Sequence, residues 1–254
     1  MNGCFLTNVG KVRNHNEDAG GIYKNDTGQM LAVVADGMGG HRAGDVASQM
    51  AAANLHKKWQ DVSLLSTPEQ SESWLEHAVQ DINSELFHYA SEHEECQGMG
   101  TTIVIAICTK YFTTIAHIGD SRCYLANAYG FKQITEDHSL VNELVRSGQI
   151  TEEQAEHHPR KNVLLKALGT ENQIDADIKT YSFEQDDRLL LCSDGLTNKV
   201  KDEELAELLT FEGEWSDFCQ KLIDKANDRG GEDNITLAVV HYTSTEGKEG
   251  ADEC

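Results

Sequence analysis

Apolar residues run without a break from Met30 to Ala35 and stop at Asp36-Gly37-Met38-Gly39-Gly40, a pattern that predicts a strand ending in a Gly-rich turn. An extended start at Cys4–Asn8 and a Gly-rich strand at 19–24 precede it, with hairpin chemistry at Asn25-Asp26-Thr27-Gly28. From Ala43 to Trp59 good helix formers carry Val46, Met50, Ala53 and Leu55 near a helical period, which marks those positions as core. Residues 60–66 are polar and loop-like. Thr67-Pro68 with Gln70 then has the form of an N-cap, a first-turn proline and a capping box. The helix it opens is expected to run to His93, with Trp74, Ala78, Ile82 and Leu86 on one face.

Short β-branched or apolar runs follow at Thr101–Cys108, Tyr111–Ile118, Arg122–Leu125 and Phe131–Ile134, and predict strands. Residues 138–162 interrupt them as a polar excursion with helical pieces at Leu140–Ser147 and Thr151–His157. Strands are expected again at Ile178–Phe183 and Leu189–Cys192, helices at Asp202–Leu209 and Trp215–Asn227, and a last strand at Ile235–Tyr242. Antiparallel strands grouped around long helices, with no internal repeat and no linker, predict one layered α+β domain over 1–242. The acidic tail 243–254 is expected to be disordered.

Composition narrows the function classes. With 43 acidic residues against 21 basic ones the net charge is −22, which argues against a nucleic-acid or anionic-membrane surface. Seven scattered cysteines without a C-x-x-C pair give no zinc or redox framework. The chain shows neither a signal-peptide pattern nor an apolar stretch of membrane-spanning length, so a reduced, cytoplasmic protein without membrane insertion is expected.

The candidate chemistry lies in acidic residues at strand ends. Asp36, Asp120, Asp194 and Asp233 each follow an apolar strand or sit beside Gly in a tight turn. A single Asp-Gly is an ordinary turn, but four such strand ends are harder to assign to turns alone. Carboxylates placed this way can converge on one ion, and an all-oxygen set selects Mg²⁺ or Mn²⁺ over zinc. Two such ions can hold a shared water as hydroxide and offset charge on a phosphoryl group.

Six motifs, in order along the chain, carry a family likeness. They are Arg13-Asn14-His15-Asn16-Glu17-Asp18, Ala35 through His41, Gly100-Thr101-Thr102, Ile118 through Arg122, Cys192 through Leu196, and Gly231-Glu232-Asp233-Asn234. Together they resemble the metal-dependent type 2C (PPM) protein phosphatases, in particular stand-alone cytoplasmic bacterial members that reverse a membrane Ser/Thr kinase.

The resemblance implies a four-layer α/β/β/α sandwich of two antiparallel sheets flanked by helix pairs. It implies hydrolysis of phosphoserine and phosphothreonine esters on proteins by a metal-bridging hydroxide. Asp36 would bridge two Mn²⁺ or Mg²⁺ ions, with the Gly37 carbonyl completing one and Asp194 and Asp233 holding the other. Asp18 and Glu17 would hydrogen-bond metal-bound water, and Arg13 would bind the substrate phosphate. Asp120, with Asp194, would hold a third, weaker ion, and 138–162 would be a flap beside the cleft. Eukaryotic relatives carry a His after the Asp-Gly as candidate general acid; here that residue is Met38. His41, the nearest histidine, would take that role or steer substrate, with a structural histidine, or proton donation by metal-bound water, as the alternatives. The expected partners are phosphorylated proteins and a cognate kinase, and the expected state is a monomer.

Rival readings are weaker. A catalytically silent phosphoprotein-binding module would have lost a metal carboxylate, and every expected one is present. A merely cation-binding acidic protein accounts for the charge and not for six ordered motifs. Gly-Asp-Ser at Ser121 matches a serine-esterase pattern, yet no Asp in the chain has His three residues on. His157 and His158 on the excursion read as solvated surface, with metal binding the alternative. Arg160 and Lys161 are positive charges in an acidic protein, for which substrate contact is the functional reading.

Overall fold

Chain order runs β1 (Asn2–Asn8), β2 (Asp18–Lys24) and β3 (Met30–Met38), then the long helices α1 (Ala43–Gln60) and α2 (Pro68–Glu92). These bounds come from a computed structural model, which describes residues 1–40 and 43–243. Next come β4 (Gly100–Thr101), β5 (Ile103–Cys108), β6 (Phe112–Ile118), β7 (Arg122–Asn127) and β8 (Gly130–Gln133). The excursion holds α3 (Leu140–Arg146) and α4 (Glu152–Glu156), and β9 (Asp177–Ser182) and β10 (Arg188–Cys192) follow. The short helices α5 (Asp194–Thr197) and α6 (Asp202–Leu205), then α7 (Trp215–Asp228), lead to β11 (Ile235–His241). His41 and the tail from residue 244 lie outside the described residues, so the expectations placed on them do too.

The strands form two antiparallel sheets, ordered β1-β11-β10-β7-β8 and β2-β3-β5-β6-β9, with β4 pairing β3. Alternation along β3 explains its unbroken apolar run, because both faces of the strand are covered. Met30, Ala32 and Val34 pack between the sheets against Leu189, Leu191, Ala238 and Val240. Leu31, Val33 and Ala35 face the other way, onto α1 and α2. The second sheet likewise sends Tyr124, Leu190, Cys192, Leu237 and Val239 outward against α5–α7. Helices, sheet, sheet and helices are thus the four layers expected. No helix among the described residues is long and apolar enough to cross a membrane.

Several local expectations change. The buried stripe of α1 is Ala43, Ala47, Ala51 and Leu55 with Gly44, Ser48 and Trp59, while Ala53 is exposed. Small residues line that stripe because the helix runs against the sheet: a Cβ on Gly37 would meet the Gly44 carbonyl oxygen at 2.1 Å. The strand expected at Thr101–Cys108 divides at Thr102, whose side-chain Oγ1 accepts from the Asp36 N–H. The helix expected at Asp202–Leu209 is one α-turn that tightens to a 3-10 turn from Ala206.

The long helix α2 opens as expected, with Thr67 Oγ1 accepting from Gln70 N and Gln70 Oε1 accepting from Thr67 N. Its buried Asn83 donates to the Glu171 carbonyl (2.9 Å) and accepts from Gly169 N–H (2.8 Å), holding the loop after the excursion. Asn83→Ala leaves those groups buried without a partner, so it is expected to cost about 2 kcal/mol in urea unfolding.

Candidate active site

One end of the sandwich gathers the strand-end carboxylates. Asp18 and Asp36 are register partners on β2 and β3, so the hairpin itself sets them side by side. Asp120 stands in the β6–β7 turn, Asp194 opens α5 directly after β10, and Asp233 immediately precedes the lead-in to β11. Asp18 is buried, and the other four are half-buried.

Their electrostatics are those of charge packed against like charge. Removal from water raises Asp36 well above an ordinary carboxyl, and repulsion from Asp18, Asp194, Asp120 and Asp233 adds to it. Asp18 is raised from 3.8 to about 7, chiefly by burial, against the help of a Ser193 hydroxyl that donates to Oδ2 at 2.8 Å. Asp120 also rises to about 7, from burial and then Asp194. Asp194 is raised by burial and then Asp233, while Asn198 Nδ2 donates to its Oδ2 at 3.0 Å. Asp18 Oδ1 is buried with no hydrogen-bond partner among the protein groups described. An oxygen-only donor set, strong mutual repulsion and an orphaned carboxylate oxygen all suit hard divalent cations.

These shifts carry a sign. Between pH 4 and 7 the native protein retains protons on Asp18 and Asp120 that the unfolded chain has released, so their contribution to stability is lost as pH rises through about 7. A cation bound there displaces those protons and removes the repulsion. The rise in melting temperature on adding Mn²⁺ is therefore expected to be larger at pH 8 than at pH 6. Differential scanning fluorimetry at the two pH values checks it, and an equal or smaller rise at pH 8 would contradict it.

Backbone and neutral side chains hold the carboxylates in place. Thr102 Oγ1 accepts from Asp36 N at 3.0 Å and lies 2.7 Å from Ser121 Oγ, while Thr101 Oγ1 donates to the Asp36 carbonyl at 2.9 Å. Ser121 is buried in that pair, so it is a structural hydroxyl and not an exposed nucleophile. Gly37 N–H donates to the Glu17 carbonyl at 3.0 Å, which ties the segment of residues 13–18 to β3. Asn234 completes the staple: its Oδ1 accepts from Glu17 N (2.7 Å), and its Nδ2 donates to the Val9 and His15 carbonyls, both at 2.9 Å. The Glu17 carboxyl is itself raised, mainly by burial and against the pull of Arg13. Arg13 Nη2 donates to Asp233 Oδ2 at 2.9 Å.

Every described residue expected in the site thus lies at this end of the sandwich. Sequence reading missed the supports: Asn234 within its motif, Asn198, Ser193 and the Thr102–Ser121 pair. Gly-Glu-Asp-Asn and Cys-Ser-Asp-Gly contain the first and third, but nothing in a residue string says which backbone an amide will reach.

A separate group of possible ligands lies behind the Asp120 turn. His117, His138 and Asp177 bring one ligand atom each within 4.8 Å of one another. Hydrogen bonding gives those atoms other work. Gly119 N–H donates to His138 Nδ1 (3.1 Å), which puts the ring proton on Nε2, 3.4 Å from Asp177 Oδ1. His117 Nε2 stands 2.8 Å from the Glu136 carbonyl and so donates to it. Burial lowers both imidazoles, which favours the neutral rings these bonds require. Among the described residues the strand-end aspartates offer an oxygen-only donor set, whereas the ring nitrogens of this cluster are engaged in these hydrogen bonds.

The excursion carries its helices on the surface, with no side chain of α3 or α4 buried. Arg160 and Lys161 are exposed, and Lys161 is one of the charges that hold Glu232, next to Asp233, below its ordinary value, after Lys199.

Known proteins are similar to this chain in sequence and in fold. The profile of the protein phosphatase 2C family matches residues 11–236. A serine/threonine phosphatase, stp, of Listeria monocytogenes is 47% identical over 246 residues, spanning 97% of this chain and 98% of that protein. Protein phosphatase PhpP of Streptococcus pneumoniae is 40% identical over 236 residues, with 93% and 95% of the two chains covered. The crystal structure of the Staphylococcus aureus serine/threonine phosphatase Stp1 superposes with a TM-score of 0.90 at 43% identity, covering 95% of each chain. The catalytic domain of the phosphatase PstP, in complex with two manganese ions, superposes with a TM-score of 0.82 at 32% identity over 96% and 98% of the chains.

Proposed function

The chain belongs to the protein phosphatase 2C family, and we propose that its carboxylate cluster is the metal centre with which it hydrolyses phosphoserine and phosphothreonine esters of proteins. The observation that carries this reading is the set of mutually repelling aspartates around the orphaned Asp18 Oδ1. Asp36, the Gly37 carbonyl, Asp194 and Asp233 would hold a Mn²⁺ or Mg²⁺ pair, and Asp120 with Asp194 would hold a third, weaker ion. When bound, such ions supply Lewis acidity toward the phosphoryl group and toward water.

The remaining work falls to the chain's own groups. Asp18 Oδ1 and the Glu17 carboxylate accept hydrogen bonds from water in the cleft and orient it. Ser193 fixes the Asp18 carboxylate and Asn198 fixes that of Asp194, so neither must reorganise during the reaction. The Arg13 guanidinium offers a planar pair of donors to the substrate phosphate, which competes with Asp233 for it. Recognition centred on phosphate suits many phosphoproteins. We place the chain in the cytoplasm as a monomer, opposite a membrane Ser/Thr kinase that phosphorylates the same proteins. A silent binding module is disfavoured, since such a module would have lost a metal carboxylate and Asp36, Asp194 and Asp233 are all present.

Hydrolysis of a phosphothreonine peptide tests the proposal. Phosphate release is expected with Mn²⁺ or Mg²⁺ and none in EDTA. Folded protein that binds Mn²⁺ yet releases no phosphate from this peptide or from an aryl phosphate would overturn it.

A further inference from the structure

His138 stands where three parts of the molecule meet, and none of the roles above uses it. It clamps Gly119 from both sides: the His138 N–H donates to the Gly119 carbonyl (2.9 Å), and the Gly119 N–H donates to His138 Nδ1 (3.1 Å). Gly119 has φ +102, a conformation disfavoured for other residues, and a Cβ there would meet Thr102 Cγ2 at 2.6 Å. The turn that carries Asp120 is therefore wedged between Thr102, which also holds Asp36, and the His138 ring.

The same residue is the root of the excursion. Its carbonyl accepts from Leu165 N at 2.8 Å, and Leu140 N–H donates to the Val163 carbonyl at 2.8 Å, so both ends of the excursion close on one point. Asp177 Oδ1 on β9 holds the far side of the ring and also lies 3.7 Å from Lys166 Nζ. His117 stacks on the ring with centroids 4.7 Å apart and planes 14° from parallel. The imidazole stack and the Asp177 carboxylate hold the ring with Nδ1 toward Gly119 N–H.

We propose that His138 is a positioning residue for Asp120, acting through Gly119, and that it links the Asp120 turn to the root of the excursion so that the two are ordered together. This rests on the reading of Asp120 as ligand of the weaker ion. His138 touches neither ion nor substrate. Its effect reaches the reaction through where the Asp120 carboxylate stands and how the excursion is held.

Two variants separate this from a general loss of packing. His138→Ala removes the acceptor for Gly119 N–H, whereas the Oδ1 of His138→Asn stands near the place of Nδ1 and can accept the same bond. Two readouts are needed: amide exchange of residues 117–121 and 138–166 in EDTA, and Mn²⁺ binding by calorimetry with Asp120→Ala alongside. His138→Ala is expected to speed exchange in both segments together and to weaken the weaker Mn²⁺ step about tenfold, leaving the tight steps unchanged, as supports behind a ligand typically do. His138→Asn is expected to return both readouts to within about threefold of the parent.

Unchanged exchange at 117–121 in His138→Ala would overturn the proposal. So would an unmoved weaker step in a protein where Asp120→Ala abolishes that step. If Asp120→Ala leaves every Mn²⁺ step in place, the ligand reading of Asp120 has failed. Exchange then decides on His138 alone: faster exchange restored by Asn upholds the clamp, and no change removes it.

Discussion

Replacing Asp36 by Asn is expected to cut phosphate release by about 10³-fold or more, while raising the melting temperature of the protein in EDTA. The activity loss follows from its place among the carboxylates: Asp36 feels Asp18, Asp194, Asp120 and Asp233, so it lies at the centre of the group. A bridging ligand lost from a paired-ion site forfeits several kcal/mol of transition-state stabilisation, and each 1.4 kcal/mol is about tenfold in rate. The stability gain has the opposite origin. At pH 8 the native protein must either hold a proton on Asp36 or bear repulsion from its neighbours, and an amide of the same shape does neither. Relief of about 1–2 kcal/mol corresponds to about 3–6 °C in a domain of this size. Initial rates and melting curves with and without Mn²⁺ check both halves. An Asp36→Asn protein that loses activity and also melts lower in EDTA would mean the residue holds the fold together and is not a strained ligand.

The second large effect is expected at Arg13. Arg13→Ala is expected to lower kcat/KM on a phosphothreonine peptide about 10- to 100-fold, mostly through KM, because a charge-assisted pair to phosphate is worth about 1.5–3 kcal/mol. Stability changes little, because the Arg13–Asp233 pair is exposed, with side chains 47% and 37% accessible, and such pairs contribute about 0–1 kcal/mol. Arg13→Lys is expected to recover only part of the loss, since an ammonium keeps the charge but not the planar fork. Steady-state kinetics of the three proteins decide it. An unchanged kcat/KM in Arg13→Ala would assign Arg13 to Asp233 and not to the substrate.

What the residue string made legible, and what it hid, follows from how each feature is encoded. The strand could be read over 30–35 because both of its faces are buried there; it runs on to Met38, and the hairpin register then sets Asp18 beside Asp36. The α2 start could be read because its capping box is local chemistry within four residues. The inner face of α1 was misread at Ala53, because its contacts are made by Ala, Gly and Ser, which leave a weak hydrophobic period. The one-turn helix α5 is too short to have a period at all. Supports of the site were hidden for a different reason. Asn234 reaches backbone more than 200 residues away, and His138 reaches Gly119 across 19, through side chain–backbone bonds that follow no repeat. Local chemistry and periodicity survive in a linear reading, whereas long-range amide bonding does not.

The central claim is that divalent ions sit among Asp36, Asp194 and Asp233. Anomalous scattering from crystals soaked in Mn²⁺ tests it most directly. Two strong peaks within ligand distance of these three carboxylates, with Asp36 touching both, are the predicted result. Manganese found only at His117, His138 and Asp177, or nowhere near Asp36, would contradict it.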